Sequence, residues 1–150
     1  MTSVMPQPRA CSIARTLAIV GEKWALLAVR EVFLGNRRFD EMIRRTGAPR
    51  DTLAARLRTL VAAGILERQR YEEHPARYEY RLTQAGLDLY PVILTLMDWG
   101  DRYLDDGNGP PMVLEHHGEH RLTPQLVCEQ CGEPVRPGDA RAHAASASHT

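Results

Sequence analysis

A mainly α fold carrying one small β-hairpin is predicted for this chain of 150 residues. Three observations predict it. Apolar residues recur at helical spacing through several consecutive segments before residue 64. Two short stretches of alternating character follow, around Ile65–Tyr71 and Arg77–Thr83. Gly21, Gly35, Gly47 and Gly64 stand where helices should stop. A hydrophobic share of 43% supports a core, which must be aliphatic because the chain holds only two Trp and two Phe.

The elements read in order as follows. Residues 1–10 carry two prolines and no pattern, so they are expected to be a loose arm. Ser12 is the expected cap of a first helix bearing Ile13, Leu17 and Val20, stopped by Gly21. A second helix is marked by Trp24, Leu27 and Glu31 or Val32 and ends at Gly35. A third, short helix turns Phe39, Met42 and Ile43 inward and ends at Gly47. The fourth starts near Pro49 and Arg50, with Pro49 in its first turn and Asp51 and Thr52 at the positive end of the dipole. Leu53, Leu57, Leu60 and Val61 form its buried stripe. The two strands come next, joined through "EEHPA", which predicts a hairpin with a longer loop rather than a two-residue turn. A long helix over residues 83–104 has Leu87, Tyr90, Leu94, Met97 and Leu104 on one stripe, and Pro91 should kink or split it. "DDGNGPP" ends it and opens a linker over residues 107–115. A tail over residues 116–138 and a disordered end over residues 139–150 complete the expected organisation, with residues 11–106 as the main domain. Helix, short turn, helix and hairpin in this order is the layout of a winged helix-turn-helix, expected to dimerise through its terminal helices.

The formal net charge is zero, but the charge is partitioned. Residues 37–81 hold eleven Arg against seven acids, about +4, whereas residues 82–106 hold five Asp against one Arg, about −4. The opening stretch has no apolar core of a signal peptide, and no run reaches the length of a membrane span, so a cytoplasmic protein without a membrane partner is expected. Three cysteines do not suggest a disulfide framework.

A basic helix and hairpin suit duplex DNA. The major groove admits one helix, arginine contacts guanine or phosphate, and a basic hairpin reaches the neighbouring backbone. The candidate contacts are Arg50, Asp51, Thr52, Arg56 and Arg58 on the fourth helix, Arg37 and Arg38 before the third, and Arg70 and Arg77 on the hairpin. The plain alternative is a solvated surface helix. A rival function is a winged helix that binds only proteins, with a structural zinc tail and no operator. A thiol enzyme lacks support, because no base is spaced near Cys11.

The segments "CSIARTLAIVGEKWALLAVREVFLGNRRFDEM", "TLAARLRTLVAAGILER", "YEEHPARYEYRLTQAGLDL" and "WGDRYL" resemble the HxlR family of bacterial transcription regulators, relatives of the MarR-type winged helices. The resemblance covers roughly two thirds of the chain, in family order. It implies a homodimer on a near-palindromic operator that represses or activates nearby genes. Many members carry Ser-Pro-Lys before the Thr-Leu pair, where this chain reads "PRDTL". Family members that sense oxidants, quinones or aldehydes use a cysteine at the place of Cys11. A helix start with Arg9 or Arg15 nearby favours a reactive thiol there, although a small packing residue is the alternative.

The tail offers the only cofactor candidate. Cys128 and Cys131 in "CEQCGEP" form half of a zinc knuckle, and His116 or His117 with His120 would complete a Cys2His2 set. The tail is similar to C-terminal extensions of actinobacterial-type family members, which often carry a further Cys-Gly pair where "HHGEH" stands here. Such a site would be structural; a decayed or disordered tail is the alternative.

Overall fold

Apolar spacing, capping and proline placement become visible element by element in the computed structural model, which describes residues 8–145. Helices α1 (Ser12–Val20), α2 (Lys23–Phe33), α3 (Phe39–Thr46) and α4 (Arg50–Ala62) come first. Antiparallel strands β1 (Leu66–Glu73) and β2 (Ala76–Leu82) follow, then α5 (Gln84–Leu87) and α6 (Tyr90–Tyr103). A short second hairpin joins β3 (Glu115–His116) to β4 (His120–Arg121). The architecture is a winged helix-turn-helix, mainly α with a small hairpin wing. The chain divides into two compact units, one up to Leu94 and one from Thr95. Most of the expected arm, and the last five residues of the expected disordered end, lie outside the described residues. Among the described residues no helix is long and apolar enough to cross a membrane.

The core of the first unit is the inner face of the helix-turn-helix. Ala25, Ala28, Val29 and Val32 of α2 meet Met42 of α3 and Leu53, Leu57 and Leu60 of α4, with Ile65 and Leu66 closing the base. Small side chains at 25 and 28 let α2 lie close to its neighbours. The one buried charged residue among those described, Glu31, is satisfied locally. Its carboxylate accepts from Arg30 Nη2 and from Asn36 Nδ2, both at 2.8 Å, and its carbonyl accepts from Asn36 N at 2.8 Å. A buried carboxylate so paired fixes the turn that leads into α3.

Gly47 ends α3 in the left-handed conformation, φ 73°, and Pro49 caps α4 so that Arg50 is its first residue. Pro49 was expected one position later, within the first turn; as N-cap its fixed φ sets the approach to α4, and its carbonyl takes the Leu53 N–H at 2.9 Å. Cys11, rather than Ser12, is the N-cap of α1, and its side chain makes no capping hydrogen bond. Gly21 ends α1 at a helical φ of −76°, and it is required for another reason: a Cβ there would stand 2.4 Å from the Leu17 carbonyl oxygen.

Three further expectations are corrected. Val61, expected in the buried stripe of α4, is 36% exposed, because Leu57 and Leu60 already fill the inner face. The wing has no long loop: pairing runs out to Glu73 and Ala76, leaving His74 and Pro75 as a two-residue turn with a cis bond between them. A bulge between Arg70 and Glu72 absorbs the extra residue, Tyr71. The long final helix is split, as Pro91 led one to expect, into α5 and α6, and Pro91 falls in the first turn of α6, where its missing N–H is harmless. The expected stripe is split as well. Leu94 is buried, but Leu87 and Leu104 are exposed, and Leu96, Trp99 and Tyr103 form a second, outward stripe on α6.

The wing is anchored at its middle and at its base. Tyr80 N donates to the Arg37 carbonyl at 2.8 Å, holding the middle of β2 against the segment before α3. At the base, Thr83 N donates to the Ile65 carbonyl at 3.1 Å, and Oγ1 donates to the Gly64 carbonyl at 2.5 Å, lies 3.0 Å from the Ile65 oxygen and also caps α5 by accepting from Gly86 N at 3.1 Å. A Cβ on buried Gly86 would stand 2.3 Å from the Ile65 oxygen. Gly86→Ala is therefore expected to lower unfolding free energy by about 1–3 kcal/mol, read as a reduced urea midpoint at unchanged slope.

Candidate nucleic-acid interface

The exposed start of α4 carries Arg50 and Asp51, with Thr52 half-buried behind them. Arg50 is tethered across the helix-turn-helix: its Nη2 lies 3.0 Å from Asp40 Oδ1, and its guanidinium lies 5.0 Å from the Phe39 ring centre. Two turns further along, Arg58 is exposed. With Leu57, Val61 and Ala62 it faces Arg68 and Tyr80 of the wing across an open cleft of about 340 Å³.

Strand register builds the wing's side of this cleft. Direct pairing of Leu66 with Leu82, Arg68 with Tyr80 and Arg70 with Tyr78 places all six on one face. The face runs from apolar at the base to aromatic and basic toward the tip. Arg70 Nη2 donates to Tyr78 Oη at 3.1 Å, and the Arg68 guanidinium lies 4.0 Å over the same ring. The Arg70 hydrogen bond first, and then the Arg70 charge, hold the Tyr78 phenol below its usual pKa; desolvation opposes them, and the Arg68 charge adds the smallest contribution. On the opposite face, Arg81 pairs with Glu79 at 3.0 Å, and past the bulge Arg77 pairs with Glu72 at 3.4 Å.

Ion pairing thus sorts the arginines. Arg44 and Arg45 are both held by Glu41, whose carboxyl is pulled below its usual pKa first by the Arg45 hydrogen bond. Arg56, expected at the edge of the DNA face, turns back toward α2: its Nε is buried without a hydrogen bond, 3.8 Å from Glu22 Oε2. Between residues 37 and 81, Arg37, Arg38, Arg58, Arg68 and Arg70 have no carboxylate partner among the described residues. Arg38 instead stacks on Tyr71 at 4.1 Å. The structure therefore brings Arg58 and Arg70 to one face, as the sequence suggested. It withdraws Arg56 and neutralises Arg77, and it adds Arg68 and Tyr78, which the sequence reading left out. The alternation of Leu66, Arg68 and Arg70 along β1 was the available signal.

Cys11 is half-buried at the start of α1, its carbonyl accepting from Arg15 N at 3.1 Å. In the tail, Cys128 accepts the backbone N–H of Cys131 and then of Gln130 and shares a hydrogen bond with the Cys131 side chain, which together hold it below the usual thiol pKa. The three candidate histidines gather in the second hairpin, with ring centres of His116 3.9 Å from His117 and 5.4 Å from His120. Yet among the described residues no group of three or more His, Cys, Asp or Glu is placed to hold a metal ion.

The fold and the family match together define the class, a winged helix-turn-helix transcription regulator. The chain belongs to the HxlR-like helix-turn-helix family, whose model matches residues 19–108. It is 51% identical over 126 residues to the uncharacterized HTH-type transcriptional regulator Rv3095 of Mycobacterium tuberculosis, covering 83% of this chain and 79% of that protein. Among solved structures it is similar to PA1607, described as a candidate transcription factor, at TM-score 0.79 and 32% identity, over 89% of this chain and 94% of the other. The redox regulator HypR in its reduced form matches at TM-score 0.56 and 32% identity, over 63% and 95% of the two chains.

The Tyr78 cluster can be tested by titration. Its phenol should ionise below an ordinary tyrosine, and Arg70→Ala should return it upward, as read by carbon chemical shifts of ring-labelled protein. Because the folded pKa is the lower one, any stability it contributes is complete above the unfolded tyrosine pKa and is lost as pH falls through the folded value.

Proposed function

We propose that this chain is a homodimeric, sequence-specific DNA-binding regulator whose hold on DNA responds to oxidants or electrophiles through Cys11. The observation that carries the reading is the basic face shared by α4 and the wing, where Arg58, Arg68 and Arg70 carry charge that no carboxylate among the described residues pairs with. In this reading the start of α4 enters the major groove, with Arg50, Asp51 and Thr52 at base edges. Arg58, Arg68 and Arg70 hold flanking phosphates, and Arg37 and Arg38 extend the contact from before α3. Arg50 must first leave Asp40 to read a base, which suits a side chain held by a weak surface pair.

A two-fold pair is supported by the outward stripe of α6, where Leu96, Trp99 and Tyr103 are 54%, 52% and 64% exposed. Such a stripe on a soluble helix favours a partner. Exposed Ile13 and Leu17 of α1 offer further apolar surface. Cys11 caps that same helix, so a modification there is placed to disturb it. HypR being a redox regulator is consistent with this part of the reading.

Fluorescence anisotropy with duplex DNA from upstream of the chain's own gene tests the proposal. Log affinity should fall with log salt at a slope of several, and Arg68→Ala or Arg70→Ala should each reduce that slope by about one. Arg56→Ala should change it less. A salt-independent signal would sink the DNA reading. In the same assay a quinone should release wild type but leave Cys11→Ser bound. Separately, Leu96→Glu with Trp99→Glu should sediment as a monomer at concentrations where wild type is a dimer; an unchanged sedimentation coefficient would remove α6 from the interface.

A further inference from the structure

We propose that Cys128 and Cys131 form a reversible dithiol–disulfide pair that exchanges with low-molecular-weight disulfides, a thiol site separate from Cys11. The two residues bracket a turn that the backbone closes by itself. Gly132 N donates to the Cys128 carbonyl at 2.6 Å, Cys128 N donates to the Glu133 carbonyl at 2.9 Å, and Val127 bridges Pro134. Gly132 follows at φ 74°, a conformation open to glycine that redirects the chain after Cys131. A turn of this size keeps its first and fourth Cα within about 7 Å, inside the reach of a disulfide. Cys131 is exposed and Cys128 half-buried, so a small co-reactant has access.

A tetrahedral zinc site needs four donors. Among the described residues no third His, Cys, Asp or Glu joins this pair. Two adjacent, accessible thiols without further ligands are suited to exchange. In the first step a Cys128–sulfur bond forms as the small disulfide's S–S bond breaks, and one small thiol leaves carrying the proton from Cys128. In the second, Cys131 sulfur attacks Cys128 sulfur, expelling the second small thiol with the remaining proton. The protein dithiol loses two electrons, and the small disulfide gains them.

The full-length reduced chain, treated with oxidised glutathione and analysed by intact mass and peptide mapping, decides the matter. The expected product is about 2 Da lighter, with Cys128 joined to Cys131 in one chain. Cys11→Ser should form it equally. Cys128→Ser should not, and Cys131→Ser should instead accumulate a glutathione adduct on Cys128. The proposal is overturned if glutathione modifies only Cys11, if the tail disulfide joins two chains, or if native mass spectrometry finds one zinc per chain that shields both thiols. Wild type alone separates these outcomes, so misfolding of a variant does not blur them.

Discussion

The Ile65 carbonyl is the point on which the rest of the fold turns. It sits where α4 has just ended, with Ile65 N donating to Leu60 O at 2.9 Å, and it receives Thr83 N at 3.1 Å, where β2 gives way to α5, while the Thr83 hydroxyl donates to the adjoining Gly64 carbonyl at 2.5 Å and lies 3.0 Å from the Ile65 oxygen. One acceptor therefore joins the end of the candidate recognition helix to both ends of the wing. The close approach of Gly86 completes the joint, since any larger residue would push α5 off this oxygen. Without that joint the Tyr80–Arg37 bond would still hold β2 to the segment before α3, but nothing would set the wing's angle to α4. The facing of Arg58 and Arg68 across one cleft depends on that angle.

Charge on this protein is informative only after pairing is known. A net charge of zero conceals a basic segment, and within that segment about half of the arginines are already spent on carboxylates of the same unit. Pairing of exposed groups is worth little energy, but it lowers the local field that a phosphate meets. The residues left over are not scattered. Arg58, Arg68 and Arg70 line α4 and the adjacent wing face, where Tyr78 contacts both Arg68 and Arg70, and Arg37 and Arg38 stand before α3. An aromatic ring does here what a carboxylate would do elsewhere, ordering a guanidinium without cancelling its charge.

Much of this was legible in the sequence, for stated reasons. Helices α2 to α4 follow from apolar spacing, from glycines at 47 and 64 and from the proline at 49, because each of these acts locally. The wing's length was not, since the two-residue turn at His74–Pro75 lacks the Asn-Gly or Gly signals that short turns show. The direction of the Arg56 side chain was not legible either, because a helical wheel ranks residues by angle alone, whereas Glu22 at the start of α2 lies 3.8 Å from its Nε. The outward stripe of α6 was missed because that helix is apolar on two sides. A wheel reports a stripe with confidence only when the other side is polar.

The tail teaches a related point about motifs. C-x2-C-G is read as metal-binding because zinc sites need a turn that presents two sulfurs together. In this chain the turn closes through Gly132 N, Cys128 N and the Val127–Pro134 bridge, all main-chain contacts that need no ion. The motif therefore reports a backbone shape, and the identity of the ligand depends on what else arrives. Among the described residues no group of three or more His, Cys, Asp or Glu is placed to hold a metal ion. Two thiols held in one turn keep the basic property of such a pair, exchange with another sulfur.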